Sequence, residues 1–164
     1  MRFLGLAPAA LAAAALLVAT PAAAPNAAMP EGLEGFAIHR TTHDYPTLVE
    51  RLDDAIAESP LNKLSAASAS VGAANLGVEI PGNMVVHAFA PNFAIRMLEA
   101  SIAAGYEAPL RFYITENEDG TATLSYQTAS FVFAPYEDGG DALEALAAEL
   151  DAIQEAIAAD AAGE

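Results

Sequence analysis

The sequence predicts an α+β fold: a single-layer, mostly antiparallel sheet with helices packed on one face, in the order β-α-β-β-α-β-β-α. Three observations lead there. Short stretches with period-two apolar alternation are interleaved with segments whose apolar residues recur every three or four positions. Two of the strand-like stretches flank a tight turn, which makes them antiparallel neighbours. Hairpins and single helices follow one another along the chain, an arrangement that suits a sheet covered on one side.

Residues 35–41, "GFAIHRT", alternate as a strand, with Phe36 and Ile38 on one face and Ala37, His39 and Thr41 on the other. Asp44 is placed to cap a helix whose first turn tolerates Pro46. Leu48, Val49, Leu52 and Ile56 form its apolar stripe, and Ser59-Pro60 ends it. "LSAASASV" (64–71) is a weaker strand, "AANLGVEIPGN" a connector, and "MVVHAFA" (84–90) a strand apolar on both faces, as expected of an interior position. After Pro91 the spacing of Ile95, Leu98 and Ile102 predicts a helix ending at Gly105.

"PLRFYITENEDGTATLSYQ" is the hairpin, and its register can be argued. A loop of even length would mix polar and apolar side chains on both faces. The three-residue loop Glu118-Asp119-Gly120 sets Leu110, Phe112 and Ile114 beside Ala122, Leu124 and Tyr126. It leaves Arg111, Tyr113, Thr115, Thr121, Thr123 and Ser125 on the other face. A buried face fixes register, so the odd loop is expected, with Gly120 left-handed. "SFVFAPY" suggests a short edge segment. A long helix follows from Asp141, with Asp141 and Glu144 as a capping box and Leu143, Leu146, Leu150, Ile153 and Ile157 as its stripe.

The chain has 164 residues, the size of one domain. Met1-Arg2, the apolar run Phe3 to Ala19 and the small residues after it have the layout of a secretory signal. Residues 1–22 are expected to be that signal, 23–34 an Ala/Pro/Gly-rich linker, and 35–160 the single folded domain. A periplasmic or secreted location follows, with no membrane association after cleavage. Removing Arg2 with the signal leaves 5 basic against 22 acidic groups, a net of −17. Phosphate contacts dominate nucleic-acid affinity, so so acidic a chain is no nucleic-acid binder. The absence of cysteine excludes disulfides and thiolate chemistry.

Few residues carry chemistry. His39 and His43 straddle a strand-to-helix turn, so they do not form a helical metal pair, and no metal site or cofactor is expected. His87 is expected to be structural, a core or interface histidine among Val85, Val86 and Phe89. There is no nucleophile elbow and no Gly-rich phosphate loop. What remains is the polar hairpin face. Arg111 stands beside Tyr113 and the hydroxyl of Ser125, where a planar guanidinium fork suits a small carboxylate or other anion. With His39 and His87, these are the candidate ligand-binding residues.

Three stretches together resemble the domain-of-unknown-function family 302, over roughly residues 35 to 160. They are "GVE" at Gly77 to Glu79, "VVHAFAP" at 85–91 ending in Pro91, and a hairpin bearing Pro109, Arg111, Glu116, Gly120, Ser125 and Tyr126 at matching offsets. The resemblance implies a compact α+β domain and a homodimer, and no established activity. Phe89-Ala90 replaces the family's Gly-Asn before Pro91, and His87 stands where an aliphatic residue is usual. The resulting reading is an exported, non-enzymatic small-ligand-binding or accessory protein acting as a homodimer. The alternatives are a small enzyme doing acid–base chemistry on a small anion with Arg111, Tyr113 and a histidine, and a metal-handling protein using His39 and His87.

Overall fold

The computed structural model describes residues 29, 30 and 32–164. The expected signal, and the expected linker up to residue 28, lie outside the described residues. Five strands form one antiparallel sheet: β1 (Phe36–Asp44), β2 (Asn62–Ala67), β3 (Asn83–Phe89), β4 (Leu110–Glu116) and β5 (Thr121–Gln127), in the spatial order β1-β5-β4-β3-β2. Helices α1 (Tyr45–Ala57), α3 (Pro91–Ala100) and α5 (Gly140–Ala162) pack on the sheet. Two short helices, α2 (Ala69–Ala74) and α4 (Ala129–Phe133), fill connections. The α+β class and the order of the eight main elements agree with the expectation.

The hairpin has the odd register. Phe112 faces Tyr126, Tyr113 faces Ser125 and Ile114 faces Leu124, and Gly120 closes the loop at φ +82°. A Cβ at Gly120 would meet nothing within 4 Å, so a side chain there costs backbone strain alone. Gly120→Val is expected to lower stability by roughly 1–2 kcal/mol. An unchanged urea midpoint would show that the loop readily adopts another conformation.

Phe112, Ile114, Leu124 and Val86 are fully buried on the face that meets the helices. Leu48, Leu52 and Ile56 come down on them from α1, and Leu143, Leu146, Leu150 and Ile157 from α5. Asp44 caps α1 as expected, its side chain accepting from Thr47 N–H at 2.9 Å. No basic residue stands in the last turn of α5, where carbonyls are left without partners. Arg51 of α1 donates to the carbonyls of Asp160 and Ala161 instead, tying the two helices end to side.

Five expectations need correction. The strand expected at 64–71 is Asn62–Ala67, because the Ser68 side chain accepts from Val71 N–H and starts α2 instead. The edge segment expected in "SFVFAPY" is helix α4, started the same way by Thr128 accepting from Phe131 N–H. The helix after Pro91 stops at Ala100, and Ser101 is extended (φ −149°, ψ 120°). Its buried stripe is Phe93 and Met97, whereas Ile95, Leu98 and Ile102 are 59%, 47% and 82% exposed. This helix carries two apolar stripes, and the one with Phe93 and Met97 fills the core. The Asp141–Glu144 capping box does not form, since α5 begins at Gly140 and its cap is Gly139. His87 is not a core residue; it lies half-exposed on the face away from α1, α3 and α5, with Nδ1 3.0 Å from Ser65 Oγ.

Candidate functional site

Alternation along β4 and β5 puts Arg111, Tyr113 and Ser125 on the open face, opposite the core. A cleft of about 190 Å³ opens there, lined by Arg111, Tyr113, Ser125, Phe36, Val85 and, from the elements beside the sheet, Glu107 and Val132. Cross-strand register supplies its surroundings. His87 on β3 stands directly opposite Arg111 on β4, and Ser65 on β2 opposite His87. One step along, Val85 faces Tyr113, Tyr113 faces Ser125, and Ser125 faces Ile38.

The polar hairpin face has a dry centre. Ser125 and Thr123 are wholly buried, and their hydroxyls turn to protein acceptors: Ser125 Oγ to the Tyr113 carbonyl at 3.4 Å, Thr123 Oγ1 to Asn117 Oδ1 at 3.1 Å. Ser125 is therefore floor, and Arg111 and Tyr113 are the polar groups that reach outward. The apolar hollow under α3, lined by Phe93, Met97 and Leu150 among others, is only about 30 Å³ and has room for no such ligand.

The structure brings Arg111, Tyr113 and Ser125 together and sets His87 beside them. It does not bring His39 there. His39 points to the helical side of the sheet and is 8% exposed, with Nε2 3.5 Å from Glu155 and Nδ1 3.5 Å from Glu164. Its ring stacks on Tyr126 at 6.0 Å between centroids. Tyr126 in turn donates to Glu155 at 2.7 Å. Burial pushes its phenol well above the usual range, and the Glu155 hydrogen bond and charge add to this, so it remains a protonated donor. Among the described residues no group of three or more His, Asp or Glu side chains could hold a metal ion.

The use made of the basic side chains singles out one of them. Arg51 is bound to helix carbonyls, Lys63 pairs with Asp53, Arg96 pairs with Glu149, and Arg40 is also engaged. Among the described residues, Arg111 is the one basic side chain with no carboxylate or carbonyl partner. That is notable where acids outnumber bases 22 to 6.

The sequence model of the family described as Domain of unknown function DUF302 matches residues 38–160. The chain belongs to the DUF302 family. The crystal structure of the uncharacterized conserved protein DUF302 from Bacillus stearothermophilus superposes with a TM-score of 0.69, covering 79% of this chain and 99% of that one at 17% identity. At that identity the likeness concerns the fold. No curated protein matches.

Most of the DUF302 motif residues turn out to hold the frame. Gly77 is left-handed and terminates the turn after α2, where Val78 N–H reaches back to the Ala73 carbonyl. Glu79 is exposed. Pro91 opens α3 behind Ala90, which offers no side-chain cap in place of the family's Asn. Pro109 leads into β4 through a cis peptide bond. Glu116 accepts from Gly82 N–H at 2.6 Å, clamping the start of β3. Of the motif residues, Arg111, Ser125 and Tyr126 line the cleft, and of these Arg111 is the exposed one. Glu107, Phe36, Val85 and Val132 were not anticipated from the sequence. They come from four different segments, and no local pattern joins them.

Proposed function

We propose that this DUF302 protein is exported, forms a homodimer and binds a small anion in the open-face cleft without transforming it. The uncommitted guanidinium of Arg111, in a cleft it shares with Tyr113 and an apolar wall, is the observation that carries the binding. Such sites are concave and mostly apolar, with few polar groups fixing orientation. A planar fork pairs best with a carboxylate or similar oxyanion. Acid–base catalysis gains less support: the hydrogen-bond partner of His87 is Ser65 rather than Tyr113 or Arg111. His39 and His87 occupy opposite sides of the sheet, which disfavours a metal held by both.

The dimer reading is supported by the outer edge of the sheet. All six residues of β2 are exposed and its free edge is unpaired. From Ser59 to Val78 there is no acidic residue at all, in a chain of net charge −16. Leu64, Val71, Leu76 and Val78 are exposed there. This edge is poor in negative charge, its Lys63 pairs with Asp53 and it exposes apolar side chains, so a second copy would meet less like charge here than on the acidic remainder of the chain. Pairing across it would join two open faces. Export rests on the run Phe3 to Ala19, outside the described residues. Among those described, no helix is long and apolar enough to cross a membrane.

Native mass spectrometry of protein purified from its own cell envelope reads all three features. The expected species has two subunits, each chain beginning between Pro21 and Ala28, and a small retained mass that Arg111→Gln loses. The same variant should weaken binding of added carboxylates at least about tenfold, the value of one charge-assisted hydrogen bond. A single subunit overturns the dimer, and an intact Met1 overturns export. Binding that is equal in wild type and Arg111→Gln overturns the site.

A further inference from the structure

Arg111 shares its cleft with a carboxylate it does not touch. Glu107, at the end of the 3-10 turn Ala103–Glu107, lines the same space, yet no ion pair joins the two. In an acidic chain an arginine near a glutamate would be expected to close on it. Arg111 stands on β4 with His87 of β3 as its cross-strand neighbour, and its side chain is exposed. Glu107 is fixed by Tyr136, whose hydroxyl donates to Oε1 at 2.6 Å. That bond is also the main reason the Tyr136 phenol holds its proton above the ordinary range, so it donates throughout the neutral region. Oε2 takes no protein donor among the described residues. Phe36, Val85, Leu110 and Val132 make up the wall around the two charges.

An uncommitted cation and an anchored anion that form no ion pair, over an apolar wall, match a ligand carrying the opposite pair. We propose that the cleft takes a small zwitterion, a free α-amino acid with an apolar side chain, its carboxylate on Arg111 and its ammonium on Glu107 Oε2. This rests on the anion reading of Arg111 and narrows it. A simple carboxylate would satisfy Arg111 but leave Glu107 facing it with like charge, and a dianion would be repelled more strongly. Glu107 therefore acts as the selecting element, attractive to an ammonium and repulsive to a second negative charge. The volume of about 190 Å³ suits a molecule of this size; drug-sized ligands fill roughly 300–1,000 Å³.

Titration calorimetry on the purified protein, dialysed free of small molecules, tests this with three matched probes: leucine, 4-methylpentanoate (the amine removed) and 3-methylbutylamine (the carboxylate removed). Leucine is expected to bind at least about tenfold more tightly than 4-methylpentanoate, one charge-assisted contact's worth, and the amine most weakly. In Glu107→Gln, which keeps an acceptor for Tyr136, the leucine-to-4-methylpentanoate ratio should fall to about one with the thermal midpoint held. Arg111→Gln should weaken both. If 4-methylpentanoate binds as well as leucine to wild type, the zwitterion is wrong and the anion site stands. If wild type binds neither probe, both readings fall. A ratio unchanged in Glu107→Gln removes Glu107 from the site.

Discussion

Phe112→Ala should lower the stability of the domain by about 3–5 kcal/mol, the usual cost of emptying a buried aromatic site. Phe112 has no exposed surface, and it sits on the middle strand of the sheet, tilted against Tyr126 with ring centroids 5.5 Å apart. Its neighbours on that face, Ile114 and Leu124, are pinned by the sheet ladder and cannot close the gap by moving one side chain. Domains of this size hold together by about 5–15 kcal/mol, so the variant should unfold at a clearly lower urea concentration, with part of the population open even without denaturant. Phe112→Leu keeps most of the volume and should lose less than half as much. A loss under about 1 kcal/mol in the alanine variant would mean that the core has its weight elsewhere. This residue is also a check on register: slipped by one position, it would sit beside Arg111's present place on the open face and its truncation would cost little.

The hairpin was legible because two independent constraints agree there. Only an odd loop places three apolar residues of each strand on one face, and a glycine stands where that loop turns left-handed. Asp44 was legible for a similar reason, a short acceptor side chain ahead of an apolar stripe. The failures share a cause as well. Ser68 and Thr128 start short helices inside stretches of strand-like composition, since a single side-chain oxygen accepting a backbone N–H outweighs weak local propensity. For α3 the period was right and the face was wrong: periodicity shows that a stripe exists, and not which of two stripes meets the core. His87 was misjudged because strand neighbours in sequence point to alternate faces; the apolar company of Val86 is on the other side of the sheet from it.

The site was legible only where it lies on one element. Arg111, Tyr113 and Ser125 follow from the hairpin parity, and the cleft around them does not. Glu107 and Val132 arrive from connections beside the sheet, and Phe36 and Val85 from two other strands. Tyr136, which orients Glu107, is 29 residues away in sequence. Nothing in spacing encodes such a meeting. What the sequence does carry is scarcity. With so few basic residues, each one's partner can be counted, and the arginine left over marks the cleft.

Glu116→Ala should destabilise the fold by roughly 2 kcal/mol, within the range for a charge-assisted bond whose donor is left without a partner. The sequence marks Glu116 only as a hairpin residue of the family resemblance and gives it no role. Instead it closes a two-way clamp: Gly82 N–H donates to Glu116 Oε2 at 2.6 Å, and Glu116 N–H donates to the Gly82 carbonyl at 2.8 Å. The clamp holds the entry of β3 against the exit of β4. It is covered by the ring of Tyr45, which lies so close that a Cβ at residue 82 would fall 2.6 Å from it. Water therefore has poor access to the Gly82 N–H once the carboxylate is gone. Glu116→Gln keeps an acceptor at the same reach and should recover at least half of the loss, which separates the hydrogen bond from the charge. Gly82→Ala disturbs the same clamp from the other side by pushing Tyr45 away. Because Glu116→Ala and Gly82→Ala break one shared arrangement, the double variant should lose clearly less than the sum of the two singles. Strictly additive urea midpoints, or a Glu116→Ala variant as stable as wild type, would show that the two residues act independently and that β3 is anchored by its ladder alone.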